Sequence, residues 1–185
     1  MGVIYIVAGH PRCGTSMLMK SLHHGGLNPV YDPSLDDAYA RPVHSNNGYH
    51  PNPNGYYESQ VNVKARSFIR VHRDKLVKIL LWQVQDLPTY HYKVVLIRRN
   101  PTEVMMSMTK MGKGQGQTPR LYQGYQDRIQ LILENRSDVQ LTILNYGDVI
   151  YDPDTAFETL ADNGFPIDPK LAATVVDEKL YRNRV

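Results

Sequence analysis

Gly2-Val3-Ile4-Tyr5-Ile6-Val7-Ala8-Gly9-His10-Pro11-Arg12-Cys13-Gly14-Thr15-Ser16-Met17-Leu18-Met19-Lys20-Ser21-Leu22 decides the fold. A β-branched apolar run leads into a glycine-bracketed loop, and a sequence able to form a helix follows. Strand, tight loop and helix in that order make a phosphate cradle: a loop with little side-chain bulk turns its N–H groups inward, and the helix start adds unpaired N–H groups and partial positive charge. The frame is that of a P-loop, G-x-x-x-x-G-K-[ST], with Gly9, Gly14, Thr15 and Ser16 in place. Threonine stands where the lysine belongs, and the cation has moved to Arg12.

That change bears on the ligand. A Walker lysine serves the β- and γ-phosphates of a nucleoside triphosphate, beside Mg²⁺ held partly by a strand-end acid. No good candidate for that acid is found: Val94-Val95-Leu96-Ile97 runs into Arg98-Arg99, and Leu141-Thr142-Ile143-Leu144 into Asn145-Tyr146. The site reads as built for an anion without a metal.

Pro11-Arg12-Cys13-Gly14-Thr15-Ser16 resembles the PRSGTS form of the 5′-phosphosulfate loop of sulfotransferases, enzymes that use 3′-phosphoadenosine 5′-phosphosulfate (PAPS), with Cys13 in place of the more usual serine. Further on, Arg99-Asn100-Pro101-Thr102-Glu103-Val104-Met105-Met106-Ser107 resembles the family's 3′-phosphate motif. Asn52-Pro53-Asn54-Gly55-Tyr56-Tyr57-Glu58 is similar to the NPxGYYE segment of a bacterial branch, and the ending Val176 to Arg184 to its VDxxLYRxR. Tyr146 to Pro153 resembles the YEDLxxDP segment, with glycine for the glutamate.

The resemblance implies PAPS as donor, with 3′-phosphoadenosine 5′-phosphate (PAP) as product. Arg12, Cys13, Gly14, Thr15 and Ser16 would hold the 5′-phosphosulfate, and Arg99 with Ser107 the 3′-phosphate. Arg182 and Arg184 either close over the phosphates or form a solvated tail. Lys78 interrupts an apolar strand, and in cytosolic sulfotransferases a lysine on the corresponding strand contacts the transferred group. The histidine that serves those enzymes as base, two residues later, is Leu80 here. Other branches use a glutamate, which makes Glu58 the first candidate base and Asp32 the second; Glu58 also reads as a helix N-terminal charge.

Length and composition bound the rest. With 185 residues, 42% hydrophobic and 21% charged, the expectation is a single sulfotransferase-like P-loop domain over 1–185. A net charge of +3, spread along the chain, gives no support to nucleic-acid or membrane-surface binding. One cysteine excludes an internal disulfide and a multi-cysteine zinc site, and the histidines lack a metal-site pattern. No basic leader precedes the first strand and no apolar run approaches a membrane span, so a cytoplasmic protein is expected. The acceptor, a small molecule, saccharide or peptide, and the oligomeric state are not legible.

The fold class is α/β: a three-layer P-loop-like fold whose central sheet is mostly parallel and flanked by helices. Strands are predicted at 3–8, 76–81, 92–97 and 139–144. Helices are predicted at 16–24, 59–73, 119–136 and 154–163, with another opening at Asn100-Pro101 and carrying Ser107. Residues 27–57, with five prolines and no apolar periodicity, read as one long loop containing His44 and His50, and 112–118 as a mobile glycine-rich loop. A divergent P-loop small-molecule kinase and a non-catalytic nucleotide-binding relative are the competing readings.

Overall fold

The structure, a computed structural model, describes residues 2–40, 52, 55 and 57–185. Among the described residues four strands form one sheet: β1 (Ile4–Gly9), β2 (Leu76–Leu80), β3 (Tyr92–Arg98) and β4 (Val139–Asn145). Their order is β2-β1-β3-β4 and every pairing is parallel, with Val7 opposite Lys78 on one side and Val95 on the other. Parallel neighbours need crossovers, and the helices that supply them cover both faces.

The helices are α1 (Thr15–His24), α2 (Pro33–Ala40), α3 (Phe68–His72), α4 (Pro101–Lys110), α5 (Pro119–Glu134), α6 (Tyr146–Tyr151), α7 (Pro153–Asp162) and α8 (Pro169–Ala173). Side-chain alternation along the strands gives the sheet two apolar faces. Val7, Leu76, Val95 and Ile97 pack with Leu18, Met19 and Leu22 of α1, Phe157 and Leu160 of α7, and Ala172 of α8. Ile4, Ile6, Val77, Ile79, Val94 and Leu96 pack with Phe68 of α3 and Ile129 and Leu133 of α5. The result is helix, sheet and helix in three layers.

Two expectations are corrected. The helix predicted over 59–73 shrinks to α3, because the Asn62 side chain accepts from Lys64 N at 3.0 Å and the Asn62 carbonyl from Ala65 N, an alternative to helical bonding. The long loop holds α2, which starts at Pro33 with the Asp32 carboxylate accepting from Ser34 N at 2.9 Å. Short helices α6 and α8 were not legible, being too brief for apolar periodicity. His44 and His50 lie outside the described residues. Among the described residues no helix is long and apolar enough to cross a membrane.

Candidate active site

The cradle forms where β1 ends. Gly14 adopts φ 102, and a β-carbon there would strike the ring of Tyr146, so only glycine lets the loop lie this close to α6. Arg12 also takes a left-handed φ of 74, a conformation rare for a long side chain and one that turns the loop sharply before α1. Helices α4, α5, α7 and α8 are capped by the side chains of Asn100, Thr118, Asp152 and Asp168. No side chain caps α1 among the described residues, so its opening N–H groups are presented toward the loop.

A cleft opens over this helix start, lined by Arg12, Gly14, Thr15, Ser16, Lys20, Arg99 and Arg182 together with Tyr146, Asp177 and Asn183. Four cationic side chains meet one carboxylate there, a balance suited to a multiply charged anion. Lys20 was not singled out from the sequence; its position one helical turn past Ser16 is the signal that places it on the same face. Cys13 is fully buried and does not line the cleft: its N–H donates to the His10 carbonyl at 3.1 Å and its thiol is directed to Gln126 Oε1 at 3.8 Å. Burial pushes that thiol up to about 12.

Arg99, at the end of β3, points at the cradle. Its Nη1 donates to the Arg12 carbonyl at 3.1 Å, its Nε to Glu103 Oε2 at 2.8 Å, and its Nη2 to the Asn183 carbonyl at 3.3 Å. The guanidinium lies 4.4 Å from the ring centre of Tyr146 and 5.4 Å from that of Tyr181, whose hydroxyl donates to Glu103 Oε1 at 2.6 Å. Three of its five N–H donors are engaged. Ser107 is fully buried and its hydroxyl accepts from Arg12 Nε at 3.0 Å, so the two sequence motifs touch directly. Arg98 turns outward to Gln130 and Asp127. Of the terminal arginines, Arg182 lines the cleft, whereas Arg184 binds Glu178 and stacks over Tyr181.

A second cluster lies where β2 faces the α1 layer. Lys78 is 3% exposed at its side chain and its ammonium donates to Glu58 Oε1 at 2.6 Å. Burial lowers the Lys78 pKa, opposed by the nearby carboxylates of Glu58 and Asp36, while Arg12 lowers it further. Glu58 therefore sits on the lysine rather than at the start of a helix. Asp32, the other candidate base, donates its N–H to the Glu58 carbonyl at 2.8 Å, while its carboxylate accepts from the N–H and hydroxyl of Ser34. Those Ser34 bonds hold the Asp32 carboxyl below its ordinary value. Among the described residues no group of three or more His, Cys, Asp or Glu is placed to hold a metal.

Comparison with solved structures places the fold. The chain is similar to the sulfotransferase domain from the curacin biosynthetic pathway, with a TM-score of 0.52 and 13% identity, over 100% of this chain and 92% of that one. It is also similar to a sulfotransferase from Alicyclobacillus acidocaldarius, with a TM-score of 0.49 and 14% identity, over 91% of this chain and 83% of that one. No family model matches the sequence. No curated protein matches it either. The class so defined is an α/β fold with an all-parallel four-stranded sheet between helices, the sulfotransferase-like fold.

Proposed function

We propose that this protein is a PAPS-dependent sulfotransferase that transfers a sulfuryl group to a hydroxyl or amine acceptor. The observation that carries the reading is the bond from Arg99 Nη1 to the Arg12 carbonyl, which sets both anion-binding motifs on one cationic cleft at the carboxyl edge of the sheet. The donor set fits PAPS: an uncapped helix start, Thr15 and Ser16 hydroxyls, and Arg12, Lys20 and Arg182 suit the 5′ anion, and Arg99 with two donors left suits the 3′-phosphate.

PAPS supplies an activated sulfuryl group. In the transfer, the acceptor oxygen or nitrogen bonds to sulfur as the bond from sulfur to the phosphate oxygen breaks. The acceptor's proton passes to the Glu58 carboxylate, and PAP leaves with the electron pair. Lys78, held by Glu58, supplies positive charge to the equatorial oxygens, while Arg12 and the loop N–H groups stabilise the leaving phosphate.

Thermal unfolding tests the donor assignment. PAP without Mg²⁺, at about a hundred times its Kd, is expected to raise Tm by roughly 5–10 °C, and Mg-ATP to do little. Equal or greater stabilisation by Mg-ATP would replace this reading with the kinase.

A further inference from the structure

Glu58 lies on a segment with no regular secondary structure, yet its carboxylate meets a buried ammonium at 2.6 Å. Something outside that segment has to hold it. The residue before it, Tyr57, has φ 53, a strained value for a bulky side chain that persists only where neighbours over-determine it.

The neighbour is Asp36 of α2. Its Oδ2 accepts from Tyr57 N at 3.0 Å and its Oδ1 from Glu58 N at 2.8 Å, so a single carboxylate grips two consecutive amides. Across the segment the Glu58 carbonyl accepts from Asp32 N, so the Glu58 peptide is bonded on both sides. Gly55 leaves room for the grip: a β-carbon there would lie 3.1 Å from Asp36 Oδ2.

We infer that Asp36 is a positioning residue, which clamps the strained Tyr57-Glu58 turn and so sets the Glu58 carboxylate on the Lys78 ammonium. This rests on the transfer reading for its purpose, though not for its geometry. Charge alone does not explain the arrangement, because each carboxylate oxygen is matched to one amide and a side chain longer by one methylene cannot meet both from the same helical position. Among the described residues, the charged groups that act on the lysine are Glu58, Asp36 and Arg12.

The test follows the Lys78 ε-methylene by NMR in ¹³C-lysine protein, assigned with Lys78→Arg, and reads its titration midpoint. Glu58→Gln removes the partner and should lower the midpoint by about one pH unit or more. Asp36→Glu keeps the charge and loses the grip; it should lower the midpoint by a similar amount, and adding Asp36→Glu to Glu58→Gln should lower it no further. A midpoint for Asp36→Glu equal to wild type, or a double variant that adds the two shifts, overturns the proposal. Gly55→Ala, whose β-carbon would lie 3.1 Å from Asp36 Oδ2 at a φ of 89 that disfavours alanine, should act in the same direction, and a midpoint equal to wild type overturns the proposal if Asp36→Glu does not fold. Binding of PAP to the wild-type protein is measured alongside: its failure would overturn the donor assignment while leaving the Lys78 midpoints to decide the role of Asp36.

Discussion

Arg12 Nε donates to Ser107 Oγ at 3.0 Å, and that bond joins the glycine-bracketed loop after β1 to the second turn of α4 across 95 residues of sequence. A serine in the segment proposed to bind the 3′-phosphate thus acts first on the loop arginine. Ser107→Ala should release Arg12 from its orientation, and a hydrogen bond to a charged group contributes about 1.5–3 kcal/mol. PAPS affinity is expected to fall roughly 10–100-fold. Adenosine 5′-phosphosulfate, which lacks the 3′-phosphate, should lose as much, because the damage lies at the 5′ end. Calorimetry with both ligands checks this, and a loss confined to PAPS would show that Ser107 contacts the 3′-phosphate instead.

Arg99 and Glu103 form an ion pair with side chains 6% and 3% exposed. Arg99→Ala would leave a buried carboxylate with, among the described residues, only the Tyr181 hydroxyl, so it should destabilise the fold by about 3–5 kcal/mol. Removing both charges together, as Arg99→Met with Glu103→Leu, should recover most of that loss, because no uncompensated charge remains. Urea unfolding of the two variants measures the difference. A double variant no more stable than Arg99→Ala would mean that contacts with Tyr146 and Asn183, rather than the pair, hold this corner.

What could be read from the sequence was local. Gly9 and Gly14 announce the cradle, Ile97 running into Arg98-Arg99 announces a strand ending in cations, and Asn100-Pro101 announces the helix start, with Asn100 accepting from Thr102 N at 2.9 Å. Each signal lies within a few residues of the feature it specifies. The unread parts are long-range: Asp36 holds an amide 22 residues away, and the Asn183 carbonyl reaches Arg99 across 84 residues. No periodicity encodes such contacts. Residues 27–57 misled for a different reason, since the eight residues of α2 make only about two turns, too few for an apolar periodicity to stand out among the surrounding prolines.

Arg136 and Asp138 tie the start of β4 to the turn before β3. Arg136 donates to Asp138 Oδ2 at 2.7 Å and to the carbonyls of Leu87 and Pro88, and Asp138 accepts from Tyr90 N. The Arg136 hydrogen bond holds the Asp138 carboxyl below its ordinary value of 3.8. A carboxylate lowered on folding stabilises fully above its unfolded pKa, and that stabilisation is lost as pH falls through the folded value. Asp138→Asn should therefore be less stable than wild type at pH 7, with the gap closing below pH 3.8. Paired thermal melts from pH 7 to pH 2 test it; a gap constant with pH would place the stabilisation in the backbone contacts alone.

Cys13 sits in the cradle, at the start of a helix whose positive end would ordinarily favour a thiolate. Its surroundings oppose this: the side chain is fully buried, and desolvation outweighs the opposing influence of Arg99 and Arg12, leaving the thiol at about 12 against an ordinary 9.0. A rise of that size cuts the thiolate fraction near pH 8 about a thousandfold. Iodoacetamide should leave the native protein unmodified on a timescale that alkylates the urea-unfolded chain completely, as read by intact mass. Cys13→Ser should retain PAP binding, since the residue is fully buried and does not line the cleft. Rapid native alkylation that PAP blocks would instead put the sulfur itself at the anion site.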